Sequence, residues 1–448
     1  MDTSLQKFLV LGVSKSGSAV VEYLLSKGAK CYIYEELNVK SAQNAVIELT
    51  KKGAIQLNKE NVDKFLVDID VLVISPGVPI NHDIAIKMKE LKKRIVGEFE
   101  FGFLSFNPKT VAVTGTNGKT TTVSMINHIL RSENLKSALV GNIGVPVTSK
   151  INEIDKDTIC VCEVSSFQLE TISSFCPHIA CILNVSPDHL ERHYTLENYV
   201  FLKNRLIFSQ KESEYAVLNY DDSTVREMAN TAKSKVLFVS AIEKTNGAYV
   251  LGDDLYYKEE KITSVNELSV KGTHNVYNAL FSIAVAKLLG VSNETIKSSL
   301  ASFKGVPHRI ELIKEINGIK YYNDSKSTNT NSTITAIRHM SAPTVLIIGG
   351  CDKGEDYTEL FNTIKNSNIV HTVITGSSRI KMLKCALDNG ITEISLSPDF
   401  NLAIRSALAI SKNTHNVLFS PACSSYDCFS NFEERGNAFI KAINEIID

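Results

Sequence analysis

Val113-Thr-Gly-Thr-Asn-Gly-Lys-Thr-Thr121 decides the reading of this chain. The run 110–113 is β-branched and apolar, so it reads as a buried strand opening into a loop with glycines at 115 and 118. Lys119 and Thr120 begin a segment in which Val123, Ile126, Ile129 and Leu130 recur at helical spacing. Small residues let backbone N–H groups turn inward around phosphate oxygens, and the helix N-terminus adds partial positive charge. Lys119 is placed to neutralise β- and γ-phosphates, and the Thr120 hydroxyl to ligate Mg²⁺. Position 113 holds Val where the commonest phosphate-loop pattern has Gly, which narrows the kind of loop this is.

Outward from the loop, short apolar runs alternate with helical stretches, the pattern of α/β architecture with parallel sheets. Toward the N-terminus, a strand at 8–11 ends at Gly12, a helix follows until Gly28, and a second strand at 31–34 ends in Glu35-Glu36. A further strand at 71–74 runs into Ser75-Pro76-Gly77. Beyond the loop, strands are expected at 159–164 and 179–185, then a patch of short strands and turns over 215–270, then a helix from about His274. Gly305 and Pro307 interrupt periodicity in Phe303-Lys-Gly-Val-Pro-His-Arg309, and strands recur at 319–322, 344–348, 370–375 and 417–419. The expected fold is α/β in three domains. Residues 1–97 are Rossmann-like, 98–305 form a P-loop ATPase-like parallel sheet with a β-rich patch, and 306–448 are Rossmann-like.

Composition removes several function classes. Of 448 residues, 44% are hydrophobic and 22% charged, too apolar a balance for a disordered chain. Lys+Arg total 48 against Asp+Glu 49, a net charge of −1, and no basic run of five to eight residues occurs, so nucleic acid is not expected as a partner. No stretch approaches the ~20 apolar residues of a membrane span. The N-terminus lacks the order of charged, apolar and small residues that marks a signal peptide. Nine cysteines, an odd number without a CxxC pair, read as buried reduced thiols in a cytoplasmic protein.

Other residues end the expected strands. Glu163 closes 159–164, and in a parallel sheet the C-terminal strand ends face the ligand crevice, so this carboxylate is placed where it could approach the Mg²⁺ of ATP, although taken alone it reads as a solvated loop acid. The segment Asn184-Val-Ser-Pro-Asp-His189 closes the next strand, and Lys203 lies 14 positions after His189. Taken alone, Lys203 reads as a helical surface lysine, Lys326 as a solvated cation and Phe432 as a core residue. Gly12-Val-Ser-Lys-Ser-Gly17 looks like a dinucleotide fingerprint, but Ser14 occupies its middle glycine, which argues against an NAD enzyme.

The string from Thr114 to Thr121 (Thr114, Gly115, Thr116, Asn117, Gly118, Lys119, Thr120, Thr121) resembles the ATP loop of the Mur ligase superfamily. The resemblance extends along the chain and implies an ATP-dependent acid–amino-acid ligase of peptidoglycan synthesis, with roles in cell wall biogenesis, cell shape and division. By that resemblance Lys119, His189, Lys203 and Arg309 carry the chemistry, with His189 a metal ligand or a general base. Two Mg²⁺ are held by Thr120, Glu163, His189 and a carbamylated Lys203. Carbamylation turns a cation into a two-oxygen anion suited to Mg²⁺. Asn275 and Asn278, in His274-Asn-Val-Tyr-Asn278, fall where the family contacts adenine. Arg309 matches an arginine reaching ATP phosphates on domain closure, and Asp324 a residue on the ribose.

The first domain is implied to hold a UDP substrate through Ser16, Gly17, Glu35 and Ser75, with Asn142 a further substrate contact. In the third, Asn323-Asp-Ser-Lys-Ser-Thr-Asn329, Ser420-Pro-Ala-Cys-Ser-Ser-Tyr-Asp427 and Asn431-Phe-Glu-Glu-Arg-Gly436 resemble the family members that take D-glutamate. Lys326 and Thr328 would grip its side-chain carboxylate, joined by Lys353, Ser425 and Phe432. The implied substrates are UDP-N-acetylmuramoyl-L-alanine and D-glutamate, and the chain is expected to act as a monomer. Rival readings are another ligase of the superfamily, at a different muramyl step or of the folylpolyglutamate type, and a P-loop kinase.

Overall fold

The computed structural model describes residues 5–37, 40–106, 108–143, 145–352 and 354–447. Lys353 therefore lies outside the described residues. The chain divides into two compact units, Met1–Lys304 and Gly305–Asp448.

The first unit contains two sheets. One has β1 (Lys7–Leu11), β2 (Lys30–Tyr34), β3 (Ile55–Gln56), β4 (Val71–Ile74) and β5 (Arg94–Gly97), all parallel, in the order β3-β2-β1-β4-β5. The other has β6 (Thr110–Thr114), β7 (Ser137–Gly141), β8 (Ile159–Glu163), β9 (Ile179–Ile182), β10 (Tyr215–Asn219), β11 (Lys235–Ser240), β12 (Ala248–Leu251), β13 (Asp254–Tyr257) and β14 (Glu260–Ser264). Its order is β14-β13-β12-β11-β10-β9-β6-β8-β7. The β-rich stretch expected over 215–270 is present and continues the central sheet. β10, β11 and β12 extend it in parallel, and β13 and β14 finish it as antiparallel strands.

A helix shared by both sheets explains why they form one unit. Glu98–Ser105 follows β5 directly. Its Phe101 packs in the core of the first sheet, edge-on to Phe8 and Tyr23, whereas Phe99 and Phe103 enter the second core beside Phe175. Two buried acids on the same helix reinforce the seam. Glu98 accepts from Thr148 N and Oγ1, and Glu100 accepts from Ser173, Ser174 and the Phe175 amide. Glu100 is paired through both oxygens, whereas Glu98 is paired through Oε1 alone and burial raises its pKa.

In the second unit, β15 (Glu311–Ile316), β16 (Ile319–Asn323), β17 (Thr344–Gly349), β18 (Ile369–Thr375), β19 (Ile394–Leu396) and β20 (Asn416–Phe419) form one sheet, ordered β15-β16-β20-β17-β18-β19. Only the β15–β16 pair is antiparallel. Of the nine cysteines, five are buried as expected, while Cys176, Cys351, Cys385 and Cys428 reach the surface to some degree. No helix among the described residues is long and apolar enough to cross a membrane.

Candidate active site

Many of the candidate residues follow the C-terminal ends of adjacent parallel strands, where open α/β sheets bind ligands. In the first sheet these are the ends of β2, β1 and β4. Glu35 Oε2 accepts from Val13 N at 2.7 Å and Oε1 from Leu37 N at 2.8 Å, so the carboxylate ties the glycine turn to the next strand end. Ser75 Oγ donates to Gly12 O at 2.6 Å. A Cβ on Gly17 would lie 1.9 Å from that same carbonyl oxygen, which is why the first helical turn takes glycine there. Ser16 stays half-buried beside it. The hydroxyl of Ser75 and the carboxylate of Glu35 thus both shape the turn.

The central site lies at the ends of β9, β6 and β8. Asn184, just past β9, locks the phosphate loop: its Oδ1 accepts from Asn117 N at 2.8 Å, its Nδ2 donates to Asn117 O, and its carbonyl accepts from Thr116 N. Gly118 holds φ +85°, and a Cβ there would sit 2.6 Å from Asn278 Oδ1. Asn278 also accepts from Thr122 Oγ1 and donates to Asn275 Oδ1, so both asparagines border the loop. Lys119 Nζ donates to Gly115 O and Thr116 O, each at 2.8 Å. Thr114 is fully buried and Thr121 half-buried in the first turn of helix Lys119–Ser132.

A strong polar contact joins loop and β8. Thr120 Oγ1 donates to Glu163 Oε2 at 2.8 Å, and Asn142 Nδ2 donates to Oε1 at 2.7 Å. Asn142, expected only at the substrate, therefore orients the carboxylate expected to face metal. These hard oxygen donors at a phosphate loop fit Mg²⁺.

Lys203 is buried, not the surface lysine its helical pattern alone suggested. Its Nζ donates to Gly115 O at 2.9 Å, the carbonyl that Lys119 also uses. Burial, followed by the nearby Lys119 cation, holds the amine well below the ordinary lysine range. His189 is not drawn into this group. It has φ +53°, its ring lies 4.9 Å from Phe167, and its nitrogens are 3.6 Å from Asp188 and 3.5 Å from Glu191. Among the described residues no three His, Cys, Asp or Glu side chains are grouped to hold a metal.

In the second unit the described candidates follow β16 and β20. Lys326 Nζ stands 5.2 Å over the Phe432 ring, bringing together two residues assigned to amino-acid binding. Thr328, two positions after Lys326, is half-buried, and Ser425 is buried. Arg435, which sequence reasoning quoted without giving it a role, is 2% exposed and holds the surrounding loops. It donates to the carbonyls of Cys423, Ser424 and Ser325 and to Ser325 Oγ.

The three parts of the chain match known domains in order. Residues 6–97 match the Mur ligase MurD-like N-terminal domain, 113–286 the Mur ligase middle domain, and 308–423 the Mur ligase glutamate ligase domain. The UDP-N-acetylmuramoylalanine–D-glutamate ligase of Caldanaerobacter subterraneus subsp. tengcongensis is 39% identical over 449 residues, covering all of both chains. This chain belongs to the Mur ligase family. A Thermoanaerobacter sp. protein with the same description is 40% identical, again over the full length of both. The solved UDP-N-acetylmuramate-alanine ligase MurC of Thermotoga maritima, at 17% identity, shares the Mur ligase fold with a TM-score of 0.61, covering 98% of this chain and 100% of that one.

Within this Mur ligase, Asp324 is more deeply built in than its expected ribose contact required. It is 1% exposed, accepts from Ser420 Oγ at 2.6 Å and Ile310 N at 3.1 Å, and lies near Arg309. Burial pushes its carboxyl up to about 6, against the lowering effect of these partners. Because the folded value lies above the unfolded one, the associated stability is full below pH ~4 and is lost as pH rises to about 6. The difference in melting temperature between wild type and Asp324→Asn is therefore expected to change across that window and stay flat above it. A difference independent of pH between 3 and 7, read by calorimetry, would mean that Asp324 is not held as an acid here.

Proposed function

We propose that this chain is a cytoplasmic, monomeric ligase that joins D-glutamate to the L-alanyl carboxylate of UDP-N-acetylmuramoyl-L-alanine at the expense of ATP. The observation that carries this reading is the loop cluster of Lys119, Thr120, Glu163, Asn142 and Lys203 in a chain whose full-length relatives bear that activity in their names. Residues 1–97 bind the UDP moiety, 98–305 bind ATP, and 306–448 bind the amino acid.

The donor carboxylate attacks the γ-phosphate, giving an acyl phosphate and ADP. The D-glutamate amine then attacks the acyl carbon, and phosphate leaves the tetrahedral intermediate. Two anions meet in the first step, so the residues' main task is to offset repulsion and developing charge. Lys119 leaves its two loop carbonyls for the phosphates, and Arg309 adds a second cation. Asn275 and Asn278 border the nucleotide, and Lys326, Thr328 and Phe432 hold the amino acid. Mg²⁺, held by Thr120 and Glu163, with His189 and a carbamylated Lys203 for a second ion, would supply further neutralisation of phosphate charge. The depressed basicity of Lys203 supports carbamylation, which requires a neutral amine.

An acceptor screen tests the proposal. With ATP, Mg²⁺ and the UDP-linked donor, phosphate release is expected with D-glutamate and with no other amino acid. Oxygen-18 in the donor carboxylate is expected to appear in that phosphate. Preference for a different acceptor would overturn the specificity, and unlabelled phosphate the acyl-phosphate route.

A further inference from the structure

Asp221, two residues past the end of β10, gathers three donors from two other elements. Its Oδ2 accepts from the Tyr277 hydroxyl at 2.7 Å and from Ala241 N at 2.8 Å, and its Oδ1 accepts from Ser240 Oγ at 2.6 Å. Ser240 ends β11 and is fully buried, and its hydroxyl oxygen accepts in turn from the amides of Ile242 and Glu243. The carboxylate is therefore held from the strand side independently of Tyr277.

The strand end that carries Asp221 is itself tied to the phosphate loop. Asn219 accepts from Asp221 N at 3.0 Å and donates to Leu183 O at 2.8 Å, and Asp222 Oδ2 accepts from Val185 N at 2.9 Å. Between Leu183 and Val185 stands Asn184, which locks Asn117. On the other side, helix Thr273–Leu288 begins after Gly272, which has φ +100° and no side chain to cap the first turn. Asn275 and Asn278 lie in the first two turns, on either side of Tyr277 in sequence, and Asn278 meets the loop at Thr122. The phenol of Tyr277 is thus a side-chain anchor joining these turns to the ends of β10 and β11. Burial and the Asp221 carboxylate push that phenol above its ordinary range, so its hydrogen stays in place at neutral pH.

We propose that Tyr277 is a positioning residue for the nucleoside of ATP, its hydrogen bond to Asp221 fixing where Asn275 and Asn278 stand. The proposal rests on the reading of those asparagines as the contacts of the base. Tyr277→Phe removes the hydroxyl, leaves no cavity and leaves Asp221 Oδ2 its bond from Ala241 N. It is expected to weaken binding of a non-hydrolysable ATP analogue roughly 3- to 10-fold by calorimetry, the worth of one hydrogen bond. Inhibition by inorganic tripolyphosphate, which carries the phosphates without a nucleoside, should stay within about twofold of wild type, because its contacts lie outside the coupled pair. KM for ATP should rise by the same factor as the analogue's dissociation constant, while kcat at saturating ATP holds within about twofold.

Unchanged analogue affinity in Tyr277→Phe overturns the proposal. Equal weakening of analogue and tripolyphosphate overturns it as well, since the effect then lies on the phosphate loop, and so does a fall in kcat with KM unchanged. Asn275→Ala is measured alongside. Weakened analogue binding there with none in Tyr277→Phe defeats only the role of Tyr277, whereas unchanged binding in Asn275→Ala defeats the assignment of the base contacts on which the proposal stands.

Discussion

Lys203→Ala is expected to lower kcat by about 10²- to 10³-fold, the usual cost of removing one preorganised charged group from a phosphoryl or acyl transfer site. KM for the nucleotide should change far less, since Lys119, Asn184 and the helix N-terminus still form the loop. The direction of chemical rescue carries the argument. The amine is buried beside another cation and is held well below its ordinary basicity, so it is poorly suited to serve as a permanent positive charge. If its working form is a carbamate, acetate or propionate should restore part of the activity and methylamine should not. Rescue by the amine alone would show that a cation is needed there and would defeat carbamylation.

Arg435→Met is expected to cost about 3–5 kcal/mol, because it leaves several buried carbonyls without a donor. For a unit of this size that corresponds to a fall of roughly 10 °C or more in melting temperature. The guanidinium remains charged at neutral pH even though burial lowers it to about 10. Its four hydrogen bonds join the loop after β16 to the loop after β20, and both loops border Lys326 and Phe432. The change should therefore be confined to the transition of residues 305–448, with that of the first unit unmoved. A shift below about 2 °C would show that these loops hold their positions without Arg435.

Much of this was legible in the sequence because phosphate loops and parallel sheets write themselves locally. The strand 110–113, the glycines at 115 and 118 and the helical stripe from Val123 to Leu130 are each set by neighbours in the chain. β7 and β3 were missed because they are edge strands with little burial, β3 only two residues long and β7 with no apolar run beyond Ala138-Leu139-Val140. The fate of Lys203 was illegible for a different reason. Nothing in Tyr199-Val-Phe-Leu-Lys203 distinguishes a solvated lysine from one turned inward, since burial is decided by which face meets β6. Asn184 and Arg435 were visible as letters, but their work is to satisfy backbone groups of distant loops, which one-dimensional spacing does not report.

The helix after β5 has a consequence for dissection. Residue 97 closes the last strand of the first sheet, and a topology diagram invites a cut there. Such a cut would carry away Phe101 and leave Phe8 and Tyr23 facing water on the amino-terminal fragment. The workable fragment for calorimetry or crystallisation therefore runs from the N-terminus to Lys304, with both sheets on one polypeptide.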